Sequence, residues 1–441
     1  MKSLIHGQAF RAAALRAWCA AAVVASANAE KAAAPVDHTL HHYIAHALEH
    51  NPRIEEQRHL TNASRREKSL AATLPDPVIS GGYFISPTET RVGPRVGKAG
   101  VSQKIPWPGS LFARRRQAAF AVDAHERQLA QTRADIAAEV HRAYAEYYLV
   151  GRAIAIHRTS LELLRQIETT LLSRYAHAAI NQARVLKLQV EIAVLEDRIS
   201  RQESRGRKEA QRLRALLNLR DDSALPYPDT LVAPAIPDSA EALDEALARN
   251  FWLESLKSRR NEADAGIDLA RQRFGPTITL KTEYQFTGKS DMLPPDDPEN
   301  GKDAWVTGVA ASVPIWVGAK KRAVDKAKDV ASAGAARVRE AENGLRRMVV
   351  ALLEDYADAR RRIRLHDTAL LPRARQAYRL MREAYVNAEA DAADFLDAQR
   401  TMLEVRLERA EEQVRVVKAA AGIERLLGRE GASGRHGGGT P

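Results

Sequence analysis

Five histidines crowd one short stretch, His38, His41, His42, His46 and His50, and four of them recur at every fourth residue. On a helix that spacing puts neighbours on one face, where the imidazoles of His42 and His46 could share a metal ion. Exposed polar residues on an amphipathic helix are the plainer account of the same series. A second concentration of charge is the pair Asp394 and Asp397, three apart and therefore on one helical face. Paired carboxylates attract cations, although solvated acids at a helix start would look the same. Nothing else in the chain assembles a nucleophile, a base and an orienting group, or a set of metal ligands, so neither enzymatic chemistry nor a bound cofactor is expected.

The composition sets what can position these residues. Of 441 residues, 45% are hydrophobic and 28% charged but only 5% aromatic, the balance of long packed helices rather than of a catalytic globule. The formal charge of +11 is interleaved with Asp and Glu along helical faces, and no reader motif accompanies it, so a nucleic-acid partner is not expected. Residues 1–29 read as a secretory signal: Lys2, Arg11 and Arg16 make a basic start, Ala17–Ala25 an apolar run, and Ala27-Asn28-Ala29 a small-x-small cleavage pattern. Cys19, the only cysteine, falls inside that signal, and Arg16-Ala17-Trp18 before it lacks the small residues of a lipidation site. The mature chain would then have no disulfide, thiolate metal site or cysteine nucleophile. No later stretch approaches the ~20 apolar residues of a membrane helix, so entry into a membrane would require a β-barrel.

An internal repeat organises the rest. Ala47-Leu48-Glu49-His50-Asn51 returns as Ala246-Leu247-Ala248-Arg249-Asn250, a shift of 199. Ile105-Pro106-Trp107-Pro108-Gly109 returns as Val313-Pro314-Ile315-Trp316-Val317-Gly318, and at the shift of 209 between its glycines Val140, Tyr147, Ile154 and His157 meet Val349, Tyr356, Ile363 and His366. At 210, Tyr175, Ala183, Leu186 and Gln189 meet Tyr385, Ala393, Leu396 and Gln399. The growth in the shift sits mainly in the loop around Gly288–Asp303, longer than its counterpart around Ser86–Gly97. The expected organisation is a signal over 1–29, a first repeat over 30–224, a Pro-rich linker over 225–238, a second repeat over 239–428 and a Gly-rich tail over 429–441.

Each half should run helix, β-hairpin, very long helix, tight turn, returning helix. The opening helices are predicted over Thr39–Leu74 and Ser239–Phe274. The period then changes from 3.6 to 2. Ile278, Leu280, Thr282, Tyr284 and Phe286 alternate with Thr279, Lys281, Glu283, Gln285 and Thr287, one face fit for lipid and the other for water. Weaker partner strands are expected over Val78–Ile85, Ala99–Trp107 and Ala304–Ile315. After Gly109 and Gly318 the chain carries little Pro or Gly until about Tyr175 and Tyr385. Heptad-spaced apolar residues run through Leu129, Ile136, Val140, Ala143, Tyr147, Val150 and Ile154, and through Leu345, Val349, Leu352, Tyr356, Ala359, Ile363 and Leu370. Pro372 should kink the second rod.

These marks in this order resemble the TolC-type outer membrane factors over about Asp37 to Gly428. The motifs are Ala47-Leu48-Glu49-His50-Asn51-Pro52, Leu74-Pro75-Asp76-Pro77, Gln103-Lys104-Ile105-Pro106-Trp107-Pro108-Gly109, Val313-Pro314-Ile315-Trp316-Val317-Gly318, and Tyr385 leading into Asp394-Phe395-Leu396-Asp397-Ala398-Gln399. The Pro-Trp-Pro-Gly form is similar to the heavy-metal branch, the CzcC and CusC relatives. The resemblance implies a mainly α fold with a small transmembrane β part: a coiled-coil α-barrel and four strands per protomer, with a homotrimer closing a twelve-stranded barrel. It implies an outer-membrane exit channel with its tunnel in the periplasm, a periplasmic adaptor and an inner-membrane RND-type pump. The cargo would be heavy-metal cations, with drugs or a type I secreted protein as alternatives. It also places Asp394 and Asp397 at a periplasmic constriction. At the equivalent places by the shift of 210 the first half has Arg184 and Lys187, opposite charges on a neighbouring hairpin that, with Tyr385, could lock the closed tip. A periplasmic coiled-coil scaffold or adaptor would account for the rods but not for the alternating strands.

Overall fold

The computed structural model describes residues 39–177, 181–220, 225–387 and 389–429; the signal, Cys19 and His38 lie outside them. The same succession of elements occurs twice. Helices α1 (Leu40–His50) and α2 (Pro52–Leu70) lead to strands β1 (Val78–Thr88) and β2 (Arg95–Ile105), then to α3 (Pro108–Ala176) and α4 (Gln182–Leu217). Helices α5 (Ser239–Arg249) and α6 (Phe251–Gln272) lead to β3 (Thr277–Thr287) and β4 (Ala304–Ser312), then to α7 (Val317–Leu365), α8 (Leu371–Val386) and α9 (Ala392–Leu426).

The opening helices are not continuous, as predicted, but broken in both halves at an asparagine. Asn51 is extended because Pro52 follows it, and its side chain accepts the Arg53 N–H at the start of α2. Asn250 does the same for Leu253 without a proline. Each asparagine also donates its amide to the end of the returning helix, Asn51 to Leu216 O at 2.7 Å and Asn250 to Leu426 O at 2.9 Å. The repeated Ala-Leu-x-x-Asn motif is thus a knot tying the start of each repeat to its end.

Helix α3 has 69 residues, a rod of about 100 Å at ~1.5 Å rise. Its predicted heptad face is the buried one: Ile136, Val140, Ala143, Tyr147, Val150 and Ile154 are all in the core, with Leu129 at its margin. In the second rod Leu345, Val349 and Ala359 are buried and Leu352 and Tyr356 half-buried. That rod is interrupted by a π-helical turn, His366–Leu370, immediately before Pro372. A proline has no N–H for the preceding turn, and a widened turn accommodates the missing bond. Between the halves the chain passes over α3 and α4 at two glycines. A Cβ on Gly151 would lie 2.7 Å from the Tyr227 Cβ, and one on Gly206 2.3 Å from the Tyr227 hydroxyl. Tyr227 also packs on Tyr147, whose hydroxyl donates to Leu225 O at 2.6 Å, so the linker is strapped across the middle of the rods.

The strands form one antiparallel sheet in the order β1-β2-β3-β4. Its register sorts every residue onto a face. Ile79, Val101, Thr282 and Thr307 lie in one cross-strand row, and Gly81, Ala99, Tyr284 and Trp305 in another. With Tyr83, Ile85, Ile105, Ile278, Leu280, Phe286 and Val309 these make a continuous apolar face, broken only by threonines and Gln103. It is bare: Ile79 is 82% exposed, Ile85 96% and Trp305 69%. The opposite face carries Lys98, Lys104, Lys281, Glu283 and Gln285. No helix among the described residues is long and apolar enough to cross a membrane.

Candidate functional site

At the end of the rods remote from the sheet, two turns return the chain: one into α4 and one into α9. Asn181 caps α4 by accepting the Ala183 N–H at 3.0 Å, and Asp391, its equivalent by the shift of 210, caps α9 through the Ala392 N–H at 2.7 Å. An apolar cluster holds the hairpins together, with Leu164, Leu171, Leu188 and Leu195 from the first and Tyr385, Phe395 and Leu403 from the second. Tyr385 is 1% exposed and stacks on Phe395, with ring centroids 4.7 Å apart and planes 7° from parallel. Its hydroxyl donates to Arg184 O at 3.3 Å, and burial raises its pKa, keeping it a neutral donor.

Asp394 and Asp397 are exposed on one face of α9, beside the buried Phe395 and Leu396. Within the protomer the charge pairing at this end is not the expected one. Lys187 Nζ lies 3.9 Å from Asp391, and Arg184 joins the second hairpin through its carbonyl oxygen. A further tie was hidden in the sequence. Glu191 is 1% exposed, and one of its oxygens accepts Arg400 Nε at 3.2 Å and Nη2 at 2.6 Å, linking α4 to α9. The Arg400 guanidinium is held charged first by Glu191 and, more weakly, by Asp397. The signal that could have found this pair is the position of Glu191 between Leu188 and Ile192, a carboxylate set into an otherwise apolar helical face.

The histidines form a ladder on α1. The rings of His42 and His46 are 6.3 Å apart and 26° from parallel, those of His46 and His50 4.2 Å and 19°. A metal lies in the plane of the imidazole that binds it, so stacked rings do not converge on one ion without rotating. The described residues hold no cluster of three or more potential ligands. Burial, then the neighbouring His50 and His42, lower the pKa of His46, which favours its neutral form in the stack.

A four-stranded sheet with a bare apolar face and two open edges, carried on rods of this length, is the fold of an outer-membrane channel protomer. The chain is similar, with TM-score 0.73, to the outer-membrane channel OprN at 19% identity, over 88% of this chain and 89% of that one. CusC matches with TM-score 0.76 at 16% identity over 89% and 93%. VceC of Vibrio cholerae matches with TM-score 0.74 at 17% identity over 89% and 97%. At such identities the likeness is one of fold. No curated protein sequence matches the chain. Residues 242–429, most of the second repeat, match the family model described as outer membrane efflux protein.

Proposed function

We propose that three copies of the chain assemble into one exit channel, their sheets joining edge to edge in a twelve-stranded barrel above a periplasmic tunnel of rods. The pair of open edges carries this reading. β1 and β4 each leave a row of backbone N–H and C=O groups unpaired beside an apolar face, which hydrocarbon does not tolerate, and four strands are too few to close on themselves. The chain then conducts rather than catalyses, and an adaptor and an inner-membrane RND-type pump supply direction and energy. Heavy-metal cations are the cargo this reading favours, supported by the Ile105–Gly109 motif and by acids at the tip. The signal over 1–29, the strap over 225–238 and the tail over 429–441 bound the two repeats.

At the tip, three copies of Asp394 and Asp397 form the narrowest polar ring, and the ties from Tyr385 to Arg184 and from Lys187 to Asp391 hold neighbouring hairpins closed. His42 and His46 are at most a weak metal site. The assembly test is fractionation: a heat-modifiable trimer in the outer membrane is expected, and a monomer released with soluble periplasm would favour the scaffold. Loss of the gene should sensitise cells to zinc or copper; sensitivity to dyes and detergents alone would reassign the cargo to drugs. In planar bilayers, Asp394→Ala with Asp397→Ala should weaken cation selectivity and block by divalent ions. If both properties survive in that double variant, the gate lies elsewhere. Calorimetry on His42→Gln with His46→Gln should show weaker zinc binding if those rings are ligands.

A further inference from the structure

The water-facing side of the sheet has a charge imbalance that the closure argument does not require. By register it comprises Val78, Ser80, Gly82 and Phe84 of β1, Lys98, Gly100, Ser102 and Lys104 of β2, Thr279, Lys281, Glu283 and Gln285 of β3, and Val306, Gly308 and Ala310 of β4. Among these described residues Glu283 is the sole carboxylate, against three lysines. Above the bulge in β2, Arg95 pairs with Thr287 and adds a fourth cation at the rim of the same face.

Glu283 is committed to one of them. Its Oε1 lies 3.1 Å from Lys98 Nζ, and it reaches there because Gly100, directly opposite, has no side chain: a Cβ on Gly100 would fall 2.8 Å from Glu283 Cγ. Lys104 and Lys281 have no such partner among the described residues. Lys281 stands opposite Ser102, two residues from Lys104 on the same face, so the two ammonium groups are diagonal neighbours. The one acid beside them, Glu283 two residues from Lys281 on the same face, is bonded to Lys98, and across the strands Lys281 faces Gly308 while Thr279, opposite Lys104, faces Ala310. Like charges placed this way destabilise a sheet unless water or counter-ions screen them.

We propose that Lys104 and Lys281 make the barrel lumen an anion-attracting segment, a property that rests on the trimeric-channel reading. Three copies of each lysine ring a pore walled by low-dielectric protein and lipid, where a single-sign field is focused rather than dissipated. Small inorganic anions, or anionic groups on the cargo, concentrate there. The conduction path then changes sign along its length, from carboxylates at the tip to ammonium groups in the barrel. A metal cation drawn in at the tip crosses the membrane accompanied by anions or as an anionic complex.

The experiment is the reversal potential of the full-length trimer in planar bilayers under a potassium chloride gradient, with the tip left intact throughout. Lys104→Glu with Lys281→Glu should lower the chloride-to-potassium permeability ratio severalfold, and Lys104→Gln with Lys281→Gln should fall between it and the wild type. Trimers of all three that conduct with the same ratio would overturn the inference and leave the channel reading standing. The carboxylates of the Gly288–Asp303 loop or of the tip would then set the selectivity. A wild-type protein that stays monomeric and never conducts would overturn both.

Discussion

The sheet and the rods solve opposite problems with the same alternation of apolar and polar residues. In the rods the apolar residues are inside: Leu164, Leu188, Leu195, Leu213 and Leu345 are fully buried, and the charges form the surface. In the sheet, Ile79, Ile85, Leu280, Phe286 and Val309 are bare on one face and the lysines stand on the other. The difference teaches which solvent each part was selected against. A rod in water gains by hiding hydrocarbon, whereas a barrel in lipid gains by displaying it and by pairing every backbone donor with a neighbouring strand. Polar residues differ in cost for the same reason. Lys281 stands on the polar face of the sheet without a bonded carboxylate, while Glu191 in the rods is buried and must be held by Arg400.

Substitutions that exchange the two solvents should break the contrast most visibly. Leu280→Arg, on the lipid face, should cost on the order of 2–4 kcal/mol at mid-depth and lower the yield of folded trimer, while Lys281→Leu on the lumen face should be mild. Equal damage from the two, read by heat-modifiable mobility, would break the assignment of faces.

A pH series sharpens the other half. His141 is buried among the rods, and desolvation first, then the charge of His41, hold its pKa at about 4. An unfolded histidine titrates near 6.5, so between these values the unfolded chain binds the extra proton and stability falls as pH falls; below about 4 the loss is complete. Its full size is about 3 kcal/mol at most. The urea midpoint at fixed protein concentration should therefore drop from pH 7.5 to pH 5, and His141→Gln should flatten that part of the curve. The smallest effect concerns the tip pair, and it is asymmetric. Arg400→Ala leaves the buried Glu191 without its partner and should cost about 1–3 kcal/mol, whereas Glu191→Gln, leaving an exposed guanidinium, should cost less than about 1 kcal/mol. Thermal midpoints of the two variants check the order; a larger loss for Glu191→Gln would reverse it.

Much of this was written in one dimension. The period-2 run Ile278–Phe286 names its two faces unaided, because a strand alternates whatever it pairs with. The heptads of Ile136–Ile154 mark the buried side of α3 for the same reason. The repeated order of elements and the family marks follow from residues close together in the chain. Elsewhere local signals were incomplete: Asn51 and Asn250 read as helical positions, although their amides are engaged with carbonyls more than 160 residues away. The widened turn at His366–Leu370 spreads over a full turn what Pro372 alone suggested as a kink.

At the tip and in the barrel the balance shifts to tertiary structure. Asp394 and Asp397 could be placed on one helical face from spacing alone, but which cation answers which acid is decided by how two hairpins seat against each other. That seating gives Lys187 to Asp391 and Arg400 to Glu191. The charged residues of the strands were likewise visible one strand at a time, while the pairing of Glu283 with Lys98, which leaves Lys104 and Lys281 without a bonded carboxylate, emerged only when register set β2 beside β3. The sequence by itself determined periodicity, the repeat and the solvent each face prefers, since these depend on neighbours within a few residues. Tertiary structure decided the pairings of charge between elements, because Coulomb interactions act through space and pay no regard to distance along the chain.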